Sequence, residues 1–186
     1  MKITNIFNRK KKDNPIHSLP FLQELVTITK NGFTDKAIML LETKGKSNNS
    51  VSIPYTSDAI KTDFEAVRQC MVSENLDDNE LAALLAIAMM KKHPKSISQL
   101  LLDNGYSSPS LERIIYLGTY TSTLKSLAEF ASIGVKKYKI SSCGDSKVCA
   151  KCAKHNGKKH FVDKAVIGKT APPFCEKCRC VIIADF

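Results

Sequence analysis

The stretches CAKC at 149–152 and CEKCRC at 175–180 decide how the C-terminal part of this chain folds. Together they hold five of the seven cysteines, all within the last 38 residues. Two thiolates three positions apart on a tight turn can both reach one Zn²⁺ at about 2.3 Å, and two such turns complete a tetrahedral site. The spacing therefore predicts one structural zinc ion.

The symmetrical ligand set takes two cysteines from each turn. A further thiol, Cys180, follows the second turn by two residues, so it could replace a ligand or lie beside the site. Cys143 is a weaker candidate, and His155 and His160 are alternative nitrogen donors between the two turns. Cys70 lies upstream on an apolar helical face, where it is expected to act as a small core residue. The predicted ligands are Cys149, Cys152, Cys175 and Cys178.

Two other uses of cysteine fit less well. A disulfide framework suits a small secreted chain, but residues 1–14 are charged where a signal peptide is apolar, so a reducing cytosolic setting is expected. A redox CxxC usually opens a helix after a strand in a βαβ unit, and no such pattern is visible. Of these three uses of cysteine, zinc binding is the one that explains why two such turns are present.

The net charge of +10 is concentrated in the C-terminal region. Residues 136–186 hold twelve Lys or Arg against four Asp or Glu, an excess of +8. Such a surface attracts polyanions, although a solvated lysine coat explains it equally well. Residues 1–17, with Arg9 to Lys12, are expected to be a basic flexible arm. No run of 18 apolar residues is present, so no membrane span is predicted.

A helical body is predicted between the arm and the cysteines, over residues 18–108. Apolar positions at helical spacing and Asn31-Gly32 delimit a first helix, and 34–43 form a second. An extended piece is expected at 51–55, after a polar loop at 46–50. Asp77 and Glu80 have the spacing of a capping box before the apolar helix 81–92.

A helix-turn-helix-like stretch is visible near residues 100–117. Its second helix would offer Glu112 and Arg113 to base edges, which is a thin set of contacts. Helices joined by a turn are more often packing units than DNA readers. We expect packing, with DNA recognition as the alternative.

The sequence of the final region, 109–186, predicts a long helix followed by a small β structure. The helix runs from Pro109 to Ile133 and ends at Gly134. Residues 135–140 alternate as a half-buried strand, Asn156-Gly157 permits a tight hairpin, and 181–183 make a last strand. The predicted fold class is α+β, a mainly helical N-terminal body with a small C-terminal zinc-stabilised β module.

The run from Leu111 to Cys180 resembles the C-terminal domain of the phage Mu F-type head morphogenesis, or minor capsid, protein family. The pieces that carry the resemblance follow in the family's order. Where the family usually has His, this chain has Cys175, and both side chains can bind zinc. The helix lacks the family's Arg-Thr-Glu step and reads Gly118-Thr119-Tyr120 instead. The matching pieces are GVKK at 134–137, GDSKVC at 144–149, Cys152, NGK at 156–158 and PPFCEKCRC at 172–180.

The resemblance implies a non-enzymatic structural or assembly protein of phage or prophage heads. Its implied partners are portal, scaffold or capsid proteins, with DNA contact through the basic region as an addition. Its implied location is the bacterial cytoplasm during assembly, or the virion; no small-molecule substrate is expected. Related modules also occur attached to toxins.

Two other functions remain open. One is a zinc-dependent nucleic-acid-binding protein that uses the basic surface. The other is an HNH-type nuclease, which needs histidines as base and catalytic-metal ligand. His155 and His160 lack the usual acidic neighbour, and a closed four-thiolate site leaves no position for water.

Overall fold

The structure is a computed structural model that describes residues 19–45, 57–89 and 92–186. The basic arm at 1–17, the polar loop at 46–50 and the extended piece at 51–55 lie outside the described residues. The described chain is mainly helical and ends in a three-stranded sheet beside a cysteine cluster, in agreement with the predicted α+β class. No helix of these residues has the length and apolar character needed to cross a membrane.

The helical body occupies the N-terminal half. A π-helical turn at Leu41–Gly45 continues the second helix, and a 3₁₀ turn at Pro94–Ser96 leads into the fifth. The predicted helix 81–92 begins earlier than expected, at Asp78, because the capping box starts it there, and it ends at Ala88. The helices are α1 (Leu19–Lys30), α2 (Thr34–Leu40), α3 (Ser57–Glu74), α4 (Asp78–Ala88) and α5 (Ile97–Asp103).

The start of α4 is the predicted capping box. The Asp77 carboxylate accepts a 2.8 Å hydrogen bond from the Glu80 backbone N–H, and the Glu80 carboxylate accepts from the Asp77 N–H at 3.4 Å. These bonds satisfy two backbone donors that would otherwise lack partners. The helix that begins here runs through the centre of the body, where its residues 81–86 are all buried.

A long helix, α6 (Leu111–Ser132), connects the body to the sheet. Its first half contributes Ile114, Leu117 and Tyr120 to the helical core. Its second half places Leu127 and Phe130 against the core of the sheet. At 1.5 Å per residue the helix is about 33 Å long, enough to serve both cores.

Gly134 ends α6 as predicted, with a φ of 78° that favours glycine. The chain then forms β1 (Lys137–Ser141), α7 (Ala150–His155), β2 (Lys159–Phe161), a 3₁₀ turn at Val162–Lys164, and β3 (Val181–Asp185). The three strands make one sheet in the order β2-β1-β3, with both pairings antiparallel.

The connection between β1 and β2 differs from a tight hairpin at Asn156-Gly157. These two residues follow α7, and the Gly157 N–H donates to the Ile140 carbonyl at 2.8 Å. The first CxxC therefore lies within the β1–β2 connection. Alternating burial along β1 turns Tyr138 and Ile140 inward and leaves Lys137 and Lys139 exposed on the other face.

Candidate metal centre

The first CxxC turn is built into the start of α7. Cys149 is the N-cap of this helix, with extended backbone angles, and its sulfur accepts from the Cys152 backbone N–H at 3.4 Å. An N-cap residue and the third helical residue lie close together on one side of a helix start. The three-residue spacing thus brings two sulfurs to one site by local geometry alone.

The second turn lies between the Pro172-Pro173 segment and β3. The Cys178 backbone N–H donates to the Cys175 carbonyl at 3.0 Å, which closes the turn. Cys180 directly precedes β3. Cys152, Cys178 and Cys180 are all buried, whereas Cys149 and Cys175 are partly exposed.

The two turns bring five sulfurs into one cluster. Cys175 Sγ lies 3.1 Å from that of Cys149 and 3.7 Å from that of Cys152, and the Cys152 and Cys178 sulfurs are 3.6 Å apart. Ligands 2.3 Å from a tetrahedral zinc ion are about 3.8 Å from one another. Two of the three distances match that value closely, so the donor set fits a thiophilic cation.

The cluster divides into two groups that share one member. The sulfurs of Cys149, Cys152 and Cys175 lie within 4.8 Å of one another, and so do those of Cys152, Cys178 and Cys180. Among the described residues no four sulfurs meet this criterion together. Cys152 of the first turn is thus the sulfur common to both groups, three of the four predicted ligands lie in the first group, and the fourth, Cys178, lies in the second together with the predicted substitute Cys180.

The thiols differ in acidity because their surroundings differ. The backbone hydrogen bond from Cys152 lowers the pKa of Cys149 to about 7. Burial raises the pKa of Cys152 and Cys175 and brings that of Cys180 to about 12. Without a cation these three thiols stay protonated at neutral pH, whereas a bound divalent ion stabilises the thiolates.

Two polar contacts outside the cluster hold its loops together. Arg179 forms hydrogen bonds of 2.7 and 2.8 Å with both carboxylate oxygens of Asp145, which lies before the first CxxC. These bonds keep the pKa of Asp145 below its ordinary value. The Thr119 hydroxyl of α6 donates to the Cys178 carbonyl at 2.8 Å. Sequence reasoning missed both contacts, because their partners are 34 and 59 residues apart.

Both histidines between the turns lie outside the sulfur groups. The His155 ring stacks on Phe174 at 3.9 Å with an interplanar angle of 7°. His160 lies on β2 opposite Tyr138. The Nδ1 atom of His155 and the Nε2 atom of His160 are buried without a hydrogen-bond partner. Burial lowers the pKa of His155, and the neighbouring charges of Lys158 and His160 lower it further.

The other two cysteines are separate from the cluster. Cys70 is fully buried in the helical core, as predicted. Burial raises its pKa to about 12. Cys143 is exposed, and its thiol donates to the Arg179 carbonyl at 3.3 Å.

The stretch near 100–117 does not have the geometry of a DNA reader. Residues 104–110 separate α5 from α6, which is longer than the three- or four-residue turn of that motif. Arg113 donates to Glu80 at 2.7 Å and to Glu74 at 3.0 Å, and Lys177 pairs with Glu112 at 3.2 Å. Both residues predicted to read bases are engaged in ion pairs within the protein.

Residues 112–183 match the family model described as Phage Mu protein F like protein. The match supports membership of the Mu F-like family for the C-terminal region. It includes nearly all of α6, the sheet except its last residues, and all five clustered cysteines. No curated protein and no solved structure matches the chain.

Proposed function

We propose, from the premise that residues 112–183 are a Mu F-like region, that this protein is a non-enzymatic assembly component of phage or prophage heads. The family suggests a structural role in the head, and contact with other head proteins. The finer proposal is a minor-capsid-like protein that binds portal, scaffold or capsid subunits. It would act in the bacterial cytoplasm during assembly and remain in the virion.

One observation carries this proposal: the family match and the structural unit coincide. The matched residues contain the sheet core, the cysteine cluster and the helix that joins them to the body. The first half of α6 packs into the core of the helical body. The proposed division is therefore a basic arm at 1–17, a helical region at 18–108 and the Mu F-like module at 109–186.

The proposed role of the cluster is to hold one structural zinc ion through Cys149, Cys152, Cys175 and Cys178. Three of the eight buried side chains in the core of the module are clustered cysteines, so the metal would replace apolar packing that the module lacks. When bound, zinc supplies folding free energy to such a unit. Four thiolates complete its coordination, which favours a structural role over catalysis.

Nucleic-acid binding is the second candidate, and the charge of the outer sheet face favours it. Lys139 of β1 is directly opposite Lys159 of β2, an arrangement that is destabilising without an anion. Lys159 is paired with Asp185 at 2.9 Å, which offsets part of that cost. The family match gives DNA contact no support. HNH-type nuclease activity and a toxin-linked module have no separate observation in their favour.

Co-expression with the head proteins of the phage or prophage that encodes the chain tests the proposal. We expect the full chain to co-sediment with assembling heads and its deletion to lower the yield of complete heads. A Cys149→Ala/Cys152→Ala variant should lose this association, whereas Cys70→Ala, in the helical core, should keep it if it folds. Normal heads without the protein, and no co-sedimentation, would contradict the assembly role. DNA binding that falls steeply with salt would favour the second candidate.

A further inference from the structure

The cysteine cluster holds one sulfur more than a tetrahedral ion can bind. Cys152 belongs to both sulfur groups, one with Cys149 and Cys175 and the other with Cys178 and Cys180. Two further thiols, those of Cys178 and Cys180, thus lie within 4.8 Å of one member of the first group, Cys152, and are the candidates for the fourth position of a zinc ion bound there. Both are almost completely buried, at 0% and 3% exposed, so burial does not discriminate between them.

The backbone that carries these two thiols is anchored independently of their sulfurs. The Cys178 carbonyl accepts from Thr119, and the Cys178 N–H donates to the Cys175 carbonyl. Arg179, between the two cysteines, is paired with Asp145. Removal of either sulfur leaves all of these bonds in place, so the segment stays beside Cys152.

We propose that Cys178 and Cys180 are interchangeable fourth ligands of a single zinc ion, with Cys149, Cys152 and Cys175 as the invariant three. This inference rests on the zinc site of the proposed function. The thiol that does not bind lies within 4.8 Å of the Cys152 sulfur. Cys143 is excluded, because it is exposed and its thiol is directed to the Arg179 carbonyl.

Titration of the metal-free full chain with Co²⁺ tests the proposal, because the absorption of tetrahedral cobalt reports the number of thiolate ligands. Cys178→Ala and Cys180→Ala should each bind one cobalt with a four-sulfur spectrum, at an affinity within about tenfold of the unmodified chain. The double variant should lose the four-sulfur spectrum and bind more than about 100-fold more weakly. Cys143→Ala is the matched control and should change neither property.

Asymmetric behaviour of the two single variants would overturn the proposal. If Cys178→Ala alone gives a three-sulfur spectrum and Cys180→Ala alters nothing, the fourth ligand is fixed. Two cobalt ions per unmodified chain would also overturn it, because all five sulfurs would then be in use. Circular dichroism of each variant checks that the helical body is folded. If the unmodified chain binds neither cobalt nor zinc, the zinc site itself is refuted and this inference with it.

Discussion

Arg179 and Asp145 join the two halves of the cysteine cluster through a bidentate ion pair. The two hydrogen bonds of 2.7 and 2.8 Å connect the loop before the first CxxC to the residue between Cys178 and Cys180. The planar guanidinium matches the geometry of the carboxylate, so the pair sets the orientation of both loops as well as their distance. The pair is partly exposed, at 37% and 43%. We therefore expect it to contribute more to the geometry of the site than to global stability.

Replacement of this arginine should weaken metal binding without unfolding the protein. In Arg179→Gln the bidentate pair is lost, and we expect the zinc affinity to fall by about tenfold, as for other groups that orient metal ligands. Competition with a chromophoric chelator measures the change. Lys154→Gln removes the same charge from α7 and should leave the affinity unchanged. Equal losses in both variants would mean that net charge, and not the ion pair, is responsible.

Removal of the metal should unfold the module selectively. The helical body has a large apolar core of its own, whereas the module core includes Cys152, Cys178 and Cys180. After chelation we expect hydrogen exchange to accelerate in β1, β2 and β3 while α3 and α4 remain protected. Mass spectrometry of exchanged peptides can resolve these segments. Unchanged protection in the sheet would contradict a structural role for the metal.

Metal binding should release protons and weaken in acid. Burial keeps the thiols of Cys152 and Cys175 protonated without metal, because it raises their pKa. We expect between about two and four protons to be released per ion at pH 7, and the affinity to fall as the pH is lowered. Calorimetry in buffers of different ionisation enthalpy measures this number.

The Asp145 pair should not contribute to that acid sensitivity above about pH 4. Its carboxylate has a pKa below the ordinary value of 3.8, so the stability it contributes is present above that value and is lost only as the pH falls through the lowered pKa. An Asp145→Asn variant should therefore show the same proton release as the unmodified chain between pH 5 and 7. A clear change in that release would contradict the assignment to the thiols.

The Arg113 ion pairs should stabilise the junction of α3, α4 and α6. Arg113→Met leaves Glu74 and Glu80, each 20% exposed, without their shared cation. We expect the free energy of unfolding to fall by about 2 kcal/mol, measured by urea denaturation. Lys30→Met is the comparison, because its pair with Asp78 is about half exposed and should contribute less than about 1 kcal/mol. If Arg113→Met lowers the free energy of unfolding no more than Lys30→Met does, the Arg113 ion pairs contribute no more than an exposed pair, and the prediction is wrong.

Local signals in the chain predicted much of this architecture. The Asp77–Glu80 capping box forms as its spacing indicates, and Gly134 ends α6. The CxxC at 149–152 is a helix start, so its two sulfurs meet through backbone geometry within four residues. The hydrogen bonds of caps and tight turns join residues only a few positions apart, so the sequence pattern alone predicts them.

Contacts between distant residues were decided only by tertiary structure. Whether Cys180 joins the cluster depends on how β3 approaches α7, and whether Arg113 is free depends on where α3 ends. The hydrogen bond from Thr119 to the Cys178 carbonyl spans 59 residues. The sequence by itself thus determined the two cysteine turns and the helices around them, because these form through short-range backbone bonds. Only the tertiary packing of these elements decided which distant side chains meet, because that packing sums many weak contacts that no single motif encodes.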